Sequence, residues 1–229
     1  MYHTIVIGGG CLGAAAAISL QRKLNRLGKG DKVCLVEKAV LCAAESSRHS
    51  GIVRSANADP DASIMASMSS KMWKKLSSVW GLDMEIDEFG AIWIAKKNVD
   101  GENPAWSELS DRMSKIQLVF EEIDTNSATQ KCGETLLTDE NESYFYEPAA
   151  FQLDPSILRS TLYDAIDENG VILMEKTEVD TILTKGKEII GITTNNGKLD
   201  AKNFVNATGA WSSQLFSKIG LKIPVTIEP

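Results

Sequence analysis

The chain has 229 residues, 43% of them apolar, enough for one large domain or two unequal ones with a proper core, and too many for a disordered tail. A formal net charge of −7 and a pI near 5.0 leave no global field to gather nucleic acid or anionic lipid, so no nucleic-acid partner is expected. The four cysteines, Cys11, Cys34, Cys42 and Cys132, lack CxxC spacing; they argue against a zinc site or a disulfide scaffold and read as reduced thiols, with no metal expected.

Tyr2 to Ile7 is a short run rich in apolar and β-branched residues that stops at Gly8-Gly9-Gly10, as a buried parallel strand does at a turn. Leu12 to Leu27 mostly follows a helical period through Leu12, Ala15, Ala16, Ile18, Leu20, Leu24 and Leu27, with Arg22, Lys23 and Arg26 on the wet side and Gly28 as a stop. Its apolar part is too short to cross a bilayer, and Met1 to Thr4 is too short for the charged region of a signal peptide. A cytoplasmic protein without membrane insertion is therefore expected. Lys32 to Glu37 (KVCLVE) is a second strand, ending in a carboxylate.

In this strand–helix–strand frame Gly8, Gly10 and Gly13 spell GxGxxG, and each position has a physical reason. Gly8 permits the tight turn, Gly10 leaves no Cβ between backbone and ligand, and Gly13 lets the helix lie close to the first strand. The unpaired amides opening the helix, with the positive end of its dipole, suit a diphosphate. Net negative charge does not prevent this, because distant exposed charges are screened over about 10 Å. Glu37, about twenty residues past Gly13, can accept hydrogen bonds from a ribose diol and would repel a 2′-phosphate, which disfavours NADP. Cys11 reads as a small residue filling a crowded turn.

Ala43 to Arg54 (AAESSRHSGIVR) is polar and Gly-containing where a plain nucleotide fold would begin another amphipathic helix. Asp59, Pro60 and Gly81 then bracket a helix as N-cap, first-turn proline and C′ residue; Ile64, Met68, Met72, Leu76 and Val79 give its apolar stripe, with the methionines as core filler. Met84 and Ile86, then Ile92 and Ile94, alternate around Glu88 to Gly90 and predict a hairpin that begins a second sheet. Asn103-Pro104 and Asp154-Pro155 each open a helix, the second carrying Ile157, Leu158, Leu162 and Ile166. The acidic runs Glu121-Glu122 and Asp139 to Glu142 read as solvated loops or faces. Val171 to Met174 is a buried-type strand. Glu178 to Thr184, Glu188 to Thr194 and Lys198 to Ala201 are three short strands joined at Lys185-Gly186 and Asn196-Gly197. Phe204 to Trp211 (FVNATGAW) is a strand running into a Gly turn and a new helix.

At these residues the chain resembles the FAD-dependent oxidoreductases of the D-amino-acid oxidase superfamily, particularly the sarcosine, dimethylglycine and glycine oxidase or dehydrogenase branch. VIGGGCLG, LVEK, SSRHSGIVR and VNATGAWS carry the resemblance, in family order over nearly the whole chain. It implies FAD as cofactor and an α/β fold: an FAD-binding Rossmann-like parallel sheet with a β-meander crossover, plus part of a mixed-sheet substrate domain. The expected division is residues 1–81 with 152–229 for FAD and 82–151 for substrate. By resemblance Gly8, Gly10, Cys11, Leu12 and Gly13 hold the diphosphate, and Glu37 with Lys38 meets the adenosine ribose. Ser46, Ser47, Arg48, His49, Ser50, Gly51 and Ile52 run beside the diphosphate and flavin ring. Val179 contacts the adenine region through its backbone. The turn of Ala207, Thr208, Gly209 and Ala210 closes over the cofactor; Trp211 packs at the following corner or shields the cofactor.

His49 and Arg54 are the catalytic candidates, because flavin oxidation of an amine asks the protein mainly for substrate placement and for positive charge near the reduced ring. His49 lies near a histidine that in the dimethylglycine branch is bonded covalently to the flavin, although here Arg48 takes the place of the preceding aromatic. Arg54 is a candidate for the flavin diphosphate, for a substrate carboxylate or for pairing with Asp59. The resemblance implies oxidation of the C–N bond of a small-molecule amine or amino acid; a hydroxyacid or glycerol-3-phosphate dehydrogenase and a non-catalytic FAD-binding subunit are the alternatives. Relatives continue well past ATGAW, whereas this sequence stops at Pro229, so a fragment, a second chain completing the flavin site or an inactive remnant is expected.

Overall fold

A computed structural model describes residues 1–57, 59–80, 86–133 and 136–225, with residues 77–80 described by their backbone alone. The expectations at Gly81, Met84 and the Val79 side chain lie outside the described residues. In chain order the strands are β1 (Tyr2–Ile7), β2 (Val33–Val36), β3 (Ile52–Val53), β4 (Ile86–Asp87), β5 (Ala91–Lys96), β6 (Glu121–Ile123), β7 (Glu142–Glu147), β8 (Phe151–Leu153), β9 (Ile172–Met174), β10 (Val179–Lys185), β11 (Glu188–Thr194), β12 (Gly197–Leu199) and β13 (Ala201–Asn206). The helices are α1 (Cys11–Arg26), α2 (Pro60–Trp80), α3 (Pro104–Lys115), α4 (Thr125–Cys132), α5 (Pro155–Asn169) and α6 (Ser212–Ser217). Two compact units result, Met1–His49 with Pro155–Pro229, and Ser50–Asp154, so α2 groups with the second.

The first unit is built on a parallel sheet of order β13-β1-β2-β9, in which Ile5 stands opposite Phe204 on one side and Cys34 on the other. Ile5 to Ile7 of β1 and all of β2 are buried, which is why these stretches read as continuous apolar runs rather than alternating ones. The antiparallel meander β10-β11-β12 packs Ile182 and Ile192 against Ile5, Ile7, Cys34 and Val36. Helix α1 buries Ala14, Ala17, Ile18 and Leu24, and small alanines let it approach closely. Gln21 is a polar exception on that face. It is wholly buried; its Oε1 accepts from the Val33 amide (2.8 Å), while Nε2 donates to Asn25 Oδ1 (2.9 Å) and to the Asp31 carbonyl (3.2 Å). The side chain thus ties α1 to the start of β2.

The second unit holds two antiparallel sheets, β3-β8-β4 and β5-β7-β6. Among the described residues the hairpin expected around Glu88 to Gly90 is not formed: β4 pairs with β8 and β5 with β7. Gly90 explains the parting. It adopts φ +76°, donates its amide to the Ala150 carbonyl (3.1 Å), and a Cβ there would lie 2.6 Å from the Tyr146 ring. The chain therefore turns onto the β7–β8 connection instead of back on itself. Behind β5 and β7, Trp93, Trp106, Phe120 and Phe145 form an aromatic cluster, with Phe120 and Phe145 stacked at 5.4 Å, against Leu109 and Met113 of α3.

Helix α2 starts as expected, with Asp59 Oδ1 accepting the Ala62 amide at 2.9 Å, but its methionines are not core filler. Ile64, Met68 and Met72 are 43%, 63% and 61% exposed, whereas Ser63, Ser67 and Ser70 are buried. The serines repeat at the same helical spacing as the methionines. Small side chains let the helix approach its neighbours, and the Ser63 hydroxyl exchanges hydrogen bonds with Asn57, accepting from its amide and donating to its carbonyl (both 3.1 Å).

Replacing Gln21 by Leu keeps the volume near constant but leaves the Val33 amide without its acceptor. The expected loss is about 1–3 kcal/mol of unfolding free energy, read as a lower urea midpoint with an unchanged slope.

Candidate cofactor-binding site

The carboxyl ends of β1, β2 and β13 converge, and backbone bonds set their spacing. The Gly8 amide donates to the Val36 carbonyl and the Ala207 amide to the Ile7 carbonyl, both at 2.8 Å. Gly8 turns the chain with φ +108°, and a Cβ on it would lie 2.3 Å from the Ala207 carbonyl oxygen. A Cβ on Gly13 would come within 1.9 Å of the Gly8 carbonyl oxygen, so only glycine lets α1 start so close to β1. Helix bonding begins with the Ala14 amide on the Gly10 carbonyl (2.9 Å), so the amides of Cys11, Leu12 and Gly13 precede the ladder. That of Cys11 donates to Ser46 Oγ at 3.0 Å. No acidic side chain lies in the first turn of α1 to offset the positive end of its dipole.

Gly9, which the motif leaves unspecified, is the residue sequence reasoning missed. Its amide donates to Glu37 Oε2 (2.7 Å), and a Cβ on it would meet Glu37 Cβ at 2.8 Å. The other carboxylate oxygen, Oε1, accepts from the Ala39 amide (2.8 Å), and the Glu37 carbonyl accepts from Thr177 (2.9 Å), in the segment leading to Val179. The unbroken Gly8-Gly9-Gly10 run was the available signal. At the far wall Asn206 organises the turn: its Oδ1 accepts from the Thr208 amide (3.2 Å) and hydroxyl (2.7 Å), an Asx turn that accounts for the asparagine in VNATG.

These elements enclose a cavity of about 490 Å³ in the first unit. Of the residues expected at the site, the cavity brings together Gly8, Gly10, Cys11, Leu12, Glu37, Lys38, Ser46, Val179, Ala207, Thr208, Gly209, Ala210 and Trp211. Leu12 does not join the buried stripe of α1: it is 85% exposed at the rim. Lys38 Nζ sits 3.7 Å from the centroid of the Trp211 ring, joining two sides of the cavity by a cation–π contact. Gln214 and Lys218, on and just after α6, also line it and carried no sequence signal.

The remaining candidates are placed otherwise. Ser47 closes a 3₁₀ turn, donating its hydroxyl to the Ala44 carbonyl (3.2 Å). Arg48 follows it on the surface, and His49 donates Nε2–H to the Ser46 carbonyl at 3.1 Å. Ser50, Gly51, Ile52 and Arg54 belong to the second unit. There the Ser50 and Gly51 carbonyls accept from the Gln152 side chain (2.8 Å) and the Leu153 amide (3.0 Å), and Ile52 pairs with Gln152 in β3. The Arg54 guanidinium donates to the Ala56 carbonyl (2.6 Å) and lies 4.4 Å over Trp93. The Trp93 indole N–H in turn donates to the buried Glu147 carboxylate (3.2 Å), which also accepts the Ser55 amide. Among the described residues no group of three His, Cys, Asp or Glu side chains is placed to hold a metal ion, and no helix is long and apolar enough to cross a membrane.

Cys11 faces a second thiol, with 3.9 Å between its Sγ and that of Cys42. A hydrogen bond from Cys42, then one from Ser46 and the charge of His49, outweigh burial and hold the Cys11 pKa down to about 6; the same contact and burial push Cys42 up.

The glycine cradle, the leading amides of α1 and the acidic end of β2 fit a dinucleotide, and the parallel sheet with its meander defines the class: an α/β protein of the FAD-binding type. The chain belongs to the DAO family, described as FAD dependent oxidoreductase, which matches residues 3–229. That family is FAD-dependent. Among curated relatives, the mouse (Mus musculus) pyruvate dehydrogenase phosphatase regulatory subunit, mitochondrial, is 23% identical over 93% of this chain and 23% of its own length. Human (Homo sapiens) dimethylglycine dehydrogenase, mitochondrial, is 24% identical over 97% of this chain and 25% of its own. Among solved structures, L-proline dehydrogenase from P. horikoshii superposes with a TM-score of 0.84 at 24% identity, over all of this chain and 58% of that one. The chain thus spans about a quarter of these curated relatives and little more than half of the solved one.

Alkylation of Cys11 by iodoacetamide should rise through a midpoint near pH 6, the titration set by its lowered pKa, because the thiolate is the nucleophile. Peptide mapping of the labelled chain over a pH series checks it.

Proposed function

We propose that this chain binds FAD in the cavity of its first unit and is the cofactor-binding part of an oxidoreductase that acts on the C–N bond of an amino acid or N-methylated amine. The observation that carries the reading is the glycine loop: its cradle is free of Cβ atoms, and the loop is pinned by Glu37 and opens the first turn of α1 onto a cavity of about 490 Å³. Amides of that turn would hold the diphosphate. Glu37 would serve both the loop and the ribose, since a carboxylate has about four acceptor positions and the Gly9 and Ala39 amides take two of them. Val179 would meet the adenine through its main chain, and the Ala207 to Ala210 turn with Trp211 would close the far side. Ser46 to His49 would run towards the flavin end, with His49 supplying positive charge there. When bound, FAD supplies a two-electron acceptor, flavin N5, for the hydride on the carbon next to the substrate nitrogen.

The substrate class rests on the resemblance and on relatives such as the one named dimethylglycine dehydrogenase. A second reading, a non-catalytic FAD-binding subunit, is favoured by the mouse relative, whose name is that of a regulatory subunit. Calorimetric titration with FAD, followed by anaerobic mixing with sarcosine, dimethylglycine, L-proline, 2-hydroxyglutarate or glycerol 3-phosphate, separates the readings through loss of the flavin band at about 450 nm. Bleaching by an amine supports the first reading, and bleaching by a hydroxyacid or glycerol 3-phosphate alone overturns its substrate class. A flavin that binds but is bleached by none leaves the subunit reading, and no heat of binding ends both. Glu37→Gln should weaken FAD binding about 10- to 100-fold, the equivalent of about 1.5–3 kcal/mol for a hydrogen bond to a charged group.

A further inference from the structure

Cys11 opens α1 and Cys42 lies in the segment after β2, yet their sulfurs are 3.9 Å apart. The approach is built into the main chain: the Cys42 amide donates to the Gly9 carbonyl at 2.8 Å, and Cys42 holds φ +56°, a left-handed conformation uncommon outside glycine. The pair is also asymmetric. Cys42 is buried, whereas Cys11 is half-buried and lines the cavity, where a small solute can reach it. With Cys11 held near pH 6 and Cys42 pushed up, one sulfur is a thiolate and its neighbour a thiol at neutral pH, the arrangement of an attacking and a resolving cysteine. Arg159 and Glu37 act on Cys42 in opposite directions.

We propose that Cys11 and Cys42 are an oxidisable dithiol that closes to a disulfide at the diphosphate end of the cavity, and that the closed form binds FAD more tightly than the reduced form. The oxidant class is a small hydroperoxide. The Cys11 thiolate attacks one peroxide oxygen, an S–O bond forming as the O–O bond breaks and hydroxide departs. The Cys42 sulfur then attacks that of Cys11; the S–S bond forms as the S–O bond breaks, and the Cys42 proton leaves with the hydroxyl as water. Two sulfurs lose two electrons, and one hydrogen peroxide becomes one water and one hydroxide.

The second half of the proposal rests on the reading of the cavity as an FAD site. A thiolate at the opening of α1 competes with a diphosphate for the same amides and the same end of the dipole, and oxidation removes that charge while leaving every amide in place. The penalty has a ceiling, because the thiolate can take up a proton instead. One unit above its pKa this costs about tenfold in affinity, so at pH 7 the oxidised form should bind FAD up to about tenfold more tightly.

The test treats the purified chain with one equivalent of hydrogen peroxide, blocks remaining thiols with N-ethylmaleimide, and maps peptides without reduction, followed by calorimetric FAD titration of reduced and oxidised samples. A Cys11–Cys42 cross-linked peptide, absent in Cys42→Ser, with tighter FAD binding after oxidation is the expected result. Alkylation of both thiols after oxidant, or conversion of Cys11 to sulfinic acid without a cross-link, overturns the pair. A cross-link with equal or weaker FAD binding overturns the electrostatic half. A cross-link with no FAD heat in either sample overturns the cofactor reading of the cavity and the half that rests on it, while the disulfide stands.

Discussion

The two oxygens of the Glu37 carboxylate go to different amides, Gly9 at 2.7 Å and Ala39 at 2.8 Å, and the glycine loop takes its position from that division. Bonds from an amide to a charged acceptor are stronger than neutral ones, and here they act where no Cβ intervenes, so the loop lies directly on the aliphatic part of the glutamate. Gly8 is held to Val36 and Ala207 to Ile7, which draws the ends of three parallel strands together. Helix α1 then has one place to begin. Its leading amides open on the cavity as a consequence of how the strand ends are tied, not of any contact the helix makes further along.

Local field and overall charge point in opposite directions in this protein. A chain of net charge −7 presents a positive helix end to the cavity, and the distances decide between the two: the amides are within hydrogen-bonding reach, while surface carboxylates more than about 10 Å away are screened. The thiol pair sits inside this local field. Ser46 joins the two effects, since its hydroxyl accepts from the Cys11 amide and also helps hold the Cys11 thiolate. A group that satisfies a leading amide of the helix thereby tunes the reactivity of the residue carrying that amide.

In the second unit a buried carboxylate organises the surroundings in a similar way. Glu147 accepts from the Ser55 amide and from the Trp93 indole, and Trp93 carries the Arg54 guanidinium on its face. Arg54 is therefore oriented by an aromatic ring and the Ala56 carbonyl rather than by an ion pair with Asp59, whose carboxylate caps α2. The exposed apolar residues of α2, with buried serines opposite, show that a helix can carry two faces of equal period and pack the less apolar one.

The local pattern of residues was enough to establish the strand–glycine loop–helix–strand opening, the Pro-initiated helices, the meander and the acidic end of β2, because each depends on interactions among residues close in the chain: helical period, turn conformations that only glycine adopts freely, missing proline amides. That Cys11, Val179 and the Ala207 turn belong with Glu37 at one site was implied by the resemblance rather than by local pattern, and the fold brings all of them to one cavity. Tertiary structure alone decided which face of α2 is buried, that β4 and β5 part at Gly90 instead of pairing, that Gly9 must lack a side chain, and that Cys42 meets Cys11. In each case the partner comes from elsewhere in the chain, the Tyr146 ring for Gly90 and Glu37 for Gly9. Periodicity counts residues along one element; it carries no information about what the fold brings against that element from a distance.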